Sequence, residues 1–268
     1  MLYRIVVLWL AMAAVPAVPS PAQEGVCNGK NALIYYGAVA DQDSALELAW
    51  IFENELGCPV EYFCRMDQLP ELLGNATILV IGGTGEDLSP VYDELDSDST
   101  LLGAIQTHLK GGVRYLGICG GAFLGSKKYK EWDGDILDWD WLYAFGLIQV
   151  KTEWYDDEYH GAQLVDILWQ GEEKPLGTFY QAGPMFTPLE KDIPGWKVLA
   201  TYPVRKKNEP APAAVVMADY GDHGRVLLLG PHPEASEAWL GPNGLCHCDW
   251  QDTSGLLVQA IRELMKPR

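Results

Sequence analysis

An α/β fold is predicted, with a mostly parallel sheet, helices on both faces and a mixed or antiparallel extension. Three observations in the 268-residue sequence point to it. Ala76–Ile81 and Val113–Ile118 are nearly unbroken apolar runs, the pattern of strands buried on both faces, as in parallel sheets. Helical patterns alternate with such strands through the first half of the chain. The rhythm changes after Lys127, where short strands are separated by turns.

Taken in order, Asn31–Gly37 reads as the first strand. Asp43 or Ser44 would cap a helix reaching about Leu56, with Leu46, Ala49, Trp50 and Ile51 on one face and Gly57 ending it. Val60–Cys64 is the second strand. Ala76–Ile81 is the third, closed by Gly82-Gly83-Thr84-Gly85. Glu86–Asp98 reads as an acidic loop, Thr100–Leu109 as a helix and Val113–Ile118 as the fourth strand. Lys127–Asp140 is rich in Trp, Tyr and Asp, and Leu147–Thr152, Ala162–Trp169 and Thr178–Phe186 read as short strands. Val198–Pro212 reads as a segment containing a solvated, charged loop. Ala213–Ala218 and Arg225–Gly230 are strands, and Thr253–Met265 is an amphipathic terminal helix. Without repeats or a linker-like composition, residues 23–268 read as one domain.

Residues 1–22 read as a secretory signal peptide: Arg4, the apolar run Ile5–Val15, then a Pro/Ala/Ser stretch with Ser20-x-Ala22 as the cleavage site. The apolar run is short of the roughly 20 residues that a membrane span needs. A secreted or periplasmic protein is expected, with no membrane insertion after cleavage. The net charge of −18 repels phosphate, so nucleic acid and anionic lipid are excluded as partners.

Six cysteines in an oxidising compartment permit disulfides. If Cys119 stays a thiol, at least one of Cys27, Cys58, Cys64, Cys246 and Cys248 is unpaired. Cys58 and Cys64 can pair only if the strand they flank bends, since an extended one holds them too far apart. Cys246-His247-Cys248 lacks the second Cys/His pair that a structural zinc site needs. The acids Asp135, Asp138, Asp140, Asp156, Asp157 and Glu158 lack calcium-ligand spacing and read as a solvated face. No metal and no cofactor is expected.

The chemistry centres on Gly117-Ile118-Cys119-Gly120-Gly121. An apolar strand ends in a glycine-rich corner, and Ala122-Phe123-Leu124 begins a helix. This is the thiol form of the Gly-x-Ser-x-Gly nucleophile elbow, and a helix N-terminus beneath the sulfur favours the thiolate. A second apolar strand runs into Gly230-Pro231-His232-Pro233-Glu234. Residues two apart at a strand end project to one side, so Glu234 can accept from one nitrogen of His232 while the other faces a nucleophile. Trp132, Trp139, Trp141, Trp154 and Tyr155 would either line a cleft or pack the extension.

These two motifs resemble the class I glutamine amidotransferase superfamily. With Ala32–Gly37, Ile81-Gly82-Gly83, Leu116–Ala122 and Tyr180–Phe186, the chain is similar within it to the biotin–protein ligase N-terminal domain family. The resemblance implies a flavodoxin-like sheet with the thiol at its carboxyl edge, where open α/β sheets bind ligands. It implies Cys119 as nucleophile, His232 as proton shuttle and Glu234 as its orienting group. The oxyanion hole would use backbone N–H groups of Gly120 and of Gly83 in the Gly82–Thr84 loop, and Thr84, Tyr180 and Phe186 would line the substrate pocket. The amidotransferase elbow continues His/Met-Gln; here Ala122-Phe123 stands in its place, and neither amide transfer to a synthase nor biotin ligation is expected. The expected function is an exported thiol hydrolase of a small-molecule or peptide amide or ester. The alternative is a ligand-binding or regulatory domain that retains the site without turnover.

Overall fold

The computed structural model describes residues 25–85, 87–129, 145–156, 161–204 and 207–268. The expected signal peptide, Trp132, Trp139, Trp141, Asp135, Asp138, Asp140, Asp157 and Glu158 lie outside the described residues.

The elements are β1 (Asn31–Tyr35), α1 (Gln42–Trp50), β2 (Val60–Phe63), α2 (Leu69–Leu72), β3 (Ala76–Ile81), α3 (Ser89–Ser97), α4 (Leu101–Lys110), β4 (Arg114–Ile118), α5 (Gly120–Gly125), β5 (Ser126–Tyr129), β6 (Ile148–Trp154), β7 (Gln163–Trp169), β8 (Leu176–Tyr180), β9 (Pro184–Pro188), β10 (Lys197–Thr201), β11 (Ala213–Tyr220), β12 (Gly224–Leu229) and α6 (Ser254–Met265). The parallel core has the order β2-β1-β3-β4-β12. This is the flavodoxin-like order 2-1-3-4-5, with β12 as the fifth strand. Beyond β12 the sheet continues antiparallel through β11, β10, β7 and β8, while β9 bridges β11 to β6 and β5. The fold is the α/β class expected, extension included.

Alternating residues of the central strands feed two cores. Leu33, Leu79, Ile81 and Tyr115 pack with Ile105, Leu109 and Leu124 on one face. Ala32, Ile34, Ile78, Val80, Leu116 and Ile118 pack with Leu48, Phe52, Leu257 and Ile261 on the other. Two-sided burial is the reason these strands read as apolar runs.

Several local expectations are corrected. Helix α1 is capped by Asp41, whose Oδ1 accepts from the N–H groups of Asp43 and Ser44 at 2.9 and 3.1 Å. Its buried residues are Ser44, Ala45, Leu48 and Ala49, followed by Ile51 and Phe52 in the next turn, so Ala49 and Ile51 are buried as expected while Leu46 and Trp50 face outward. The acidic stretch holds a helix, α3, because Val91 and Leu95, one turn apart, reach the core. Thr178–Phe186 is two strands, β8 and β9, folded about Ala182 at φ 50°. Lys197–Thr201 adds a strand, β10, that the sequence did not mark.

Cys58 pairs with Cys27, not with Cys64. Extended β2 carries Cys64 away, while the segment before β1 brings Cys27 alongside. Cys246 and Cys248 form a second disulfide; Cys64 is an exposed thiol and Cys119 a buried one. No described helix is long and apolar enough to cross a membrane.

Candidate active site

Neighbouring parallel strands β4 and β12 deliver the two motifs side by side, with Ile118 opposite Leu229. Cys119 follows β4, its N–H donating to Leu229 O at 2.8 Å. Its backbone sits at φ 51°, ψ −111°, a conformation strained for a residue with a Cβ. That turn lifts the side chain out of the strand before α5 starts. Gly120 is required here, because a Cβ on it would collide with the Thr84 side chain.

His232 lies beyond β12 and is tied to β8, its N–H donating to Phe179 O at 2.8 Å. The ring stands edge-on to Phe179 and also contacts Trp239. Its Nδ1 is 2.9 Å from Glu234 Oε1. The Cys119 sulfur also lies near enough to the His232 ring to act on its charge. The structure therefore brings Cys119 beside a hydrogen-bonded His232–Glu234 pair, with all three buried. Burial by itself lowers the basicity of His232. The Glu234 carboxylate and the Cys119 sulfur outweigh burial and hold the imidazole well above its usual pKa.

Two contacts escaped the sequence. Ser44, fully buried on α1, donates from Oγ to Glu234 Oε1 at 2.7 Å and accepts the Gly83 N–H at 2.9 Å. It therefore links the acid to the Gly82–Thr84 loop, and the ring of His232 lies against that loop: a Cβ on Gly83 would come within 2.8 Å of His232 Cε1. The other contact is the Gln181 carbonyl, which accepts from the Cys119 thiol at 3.4 Å. The β8–β9 corner thus holds both reactive side chains, His232 through Phe179 and Cys119 through Gln181. Only a buried serine three residues into a capped helix hinted at the first contact. Nothing local marked the second.

Of the two amides expected to serve an oxyanion, Gly83 and Gly120, one is already engaged in the structure. The Gly83 N–H is committed to Ser44, so Gly83 is not available as a donor. The N–H groups of Thr84 and Gly120 have no acceptor among the described residues. The Thr84 side chain lies directly on Gly120.

The expected pocket residues divide. Tyr180 shares the core with Cys119, but its hydroxyl donates to Gly183 O at 2.9 Å and accepts from Asp156 N–H at 3.2 Å. Burial pushes this phenol up, so it stays neutral and braces the β8–β9 corner. Phe186 packs in the core on the opposite face of the sheet and does not approach the thiol. Tyr155 stacks on Tyr202 at 3.9 Å and so packs the extension.

Comparison with known proteins follows the same lines. Residues 149–259, from β6 into α6, match the family described as biotin-protein ligase, N terminal. No curated protein matches the sequence. Among solved structures the chain is similar to a glutamine amidotransferase, at 14% identity and a TM-score of 0.56 over 87% of this chain and 100% of that one. It is also similar to a cytoplasmic protein from Salmonella typhimurium LT2, at 15% identity and a TM-score of 0.50 over 87% and 99% of the two chains. At these identities the likeness is one of fold.

Proposed function

We propose that this chain, with its biotin–protein ligase N-terminal segment on an amidotransferase-like fold, is a thiol-dependent hydrolase of an amide or ester. The observation that carries the proposal is the placement of Cys119 beside His232, whose ring is hydrogen-bonded to Glu234 and through it to Ser44. His232 takes the thiol proton and Cys119 attacks the carbonyl carbon. The N–H groups of Thr84 and Gly120 receive the oxyanion, which stabilises the transition state by about 3–4 kcal/mol in comparable holes. His232 then protonates the leaving nitrogen or oxygen. Water, deprotonated by the same imidazole, cleaves the thioester and restores the thiol. Glu234 holds the ring orientation and balances the imidazolium.

The protein acts outside the cytosol. The pattern of residues 1–22 and the disulfides support this reading. The test is alkylation of Cys119 by iodoacetamide as a function of pH. The wild type should react at least tenfold faster than His232→Ala near neutral pH, as expected when a base partner supplies the thiolate. Equal rates would remove the enzyme reading. They would favour the second, a binding domain that keeps the site without turnover. The observation on that side is the Gln181 carbonyl, which engages the thiol of a Cys119 only 7% exposed.

A further inference from the structure

The second disulfide lies well apart from this chemistry in character. Cys246 and Cys248 are joined across a single residue, His247, and all three are exposed. Cys27 and Cys58, by contrast, are 0% and 1% exposed. Thiol–disulfide exchange requires a thiolate to reach a sulfur from the far side of the S–S bond, so exposure decides which bridge reacts in the folded chain.

The two sulfurs also differ from each other. Cys246 Sγ accepts the N–H of Cys248 at 3.3 Å, where the short turn His247–Asp249 begins. Negative charge arriving on Cys246 meets a donor. Cys248 Sγ lies 3.5 Å from the Asp249 carboxylate, which opposes negative charge. The neighbouring His247 is occupied by Glu237 at 2.8 Å. Cys246 is therefore the better leaving sulfur and Cys248 the one attacked. The carboxylate beside Cys248 disfavours an anionic attacker relative to a neutral or cationic one.

We infer that Cys246-His247-Cys248 is a thiol–disulfide exchange site for small neutral or cationic thiols. An incoming thiolate forms a bond to Cys248 Sγ as the Cys246–Cys248 bond breaks, and the electron pair passes to Cys246 Sγ. A second thiol molecule releases the first as a small disulfide and leaves Cys248 as a thiol. Two small thiols are thereby oxidised and the bridge gains two electrons and two protons. The reverse reaction, with a small disulfide, restores it.

The experiment uses the full chain carrying Cys64→Ser, which removes the exposed lone thiol. Cysteamine or thioglycolate is added in graded amounts, the reaction is quenched with iodoacetamide, and each cysteine peptide is quantified by mass spectrometry. Cys246 and Cys248 should become alkylated together, at least about tenfold faster than Cys27 and Cys58, because reaction at a buried bridge waits for local opening. Cysteamine should outpace thioglycolate at low ionic strength, and the gap should narrow in high salt as the carboxylate is screened. Asp249→Asn should speed the thioglycolate reaction and narrow the same gap. The inference is overturned if Cys246 and Cys248 emerge as free thiols before any reductant is added, if they resist as long as Cys27 and Cys58, or if thioglycolate matches cysteamine at low salt.

Discussion

Ser44→Ala is the substitution that most directly probes how the acid is held. One hydroxyl accepts the Gly83 N–H at 2.9 Å and donates to Glu234 Oε1 at 2.7 Å. Both bonds are buried, so bulk solvent does not directly replace either. A hydrogen bond to a charged acceptor is worth about 1.5–3 kcal/mol and one between neutral groups about 1 kcal/mol. The expected loss is about 3 kcal/mol of stability. Glu234 has no slack to absorb it, because its Oε2 is already buried without a hydrogen-bond partner among the described residues. Urea unfolding at pH 7 measures the change as a lower midpoint at unchanged slope. A double-mutant cycle with Glu234→Gln separates the link from simple loss of packing, and should give a coupling of about 1 kcal/mol or more for groups in direct contact. Cys119 alkylation should slow as well, since His232 loses a fixed partner. A change below about 0.5 kcal/mol, the scatter of ordinary surface substitutions, or strict additivity with Glu234→Gln would refute the relay.

Three further outcomes follow from the same geometry. The folded-state pKa of His232 is raised, so its contribution to stability is complete below the unfolded histidine value of about 6.5 and is lost as pH rises through the folded value. Unfolding midpoints of the wild type between pH 6 and 9 should therefore carry a decline that His232→Gln lacks; identical slopes would contradict the pairing. Gly120→Ala would drive Thr84 away from the elbow. It should leave Cys119 alkylation within a few-fold but cut turnover of an ester substrate by about 10²–10³, the cost of losing one oxyanion donor; undiminished turnover would move the donor pair elsewhere. Replacing Cys27 and Cys58 together by Ser should cost about 4 kcal/mol on the chain-entropy account of a loop spanning 31 residues, against less than about 2 kcal/mol for Cys246 and Cys248 two residues apart. Equal losses in the two variants would show that loop length is not what distinguishes the bridges.

The central strands were legible because double burial leaves a one-dimensional trace. Ala76–Ile81 is apolar at every position but Thr77, and it is β3 to the residue. Helix α3 was not legible: Asp and Glu crowd Ser89–Ser97, and Val91 and Leu95 are its buried residues, with Tyr92 packed half-buried beside them. The expected face of α1 was half right: Ala49 and Ile51 are buried, Leu46 and Trp50 exposed. Its apolar residues extend around the helix, and which of them face inward depends on the sheet beneath, not on spacing. Phe186 was set beside Tyr180 on the resemblance alone; the reversal at Ala182 sends it to the other core.

Local chemistry was sufficient to name Cys119, His232 and Glu234, since an elbow and a rigid strand end each leave a signature within five residues. The relations among distant segments had no such signature. Ser44 meets Glu234 across 190 residues, Gln181 reaches Cys119 across 62, and Cys27 reaches Cys58 across 31. The single hydroxyl of Ser44 also decides which amide of the Gly82–Thr84 loop remains free for an oxyanion. Backbone preference and burial pattern are written along the chain, whereas the hydrogen-bond partner of a buried side chain is settled only when separate segments close on one another.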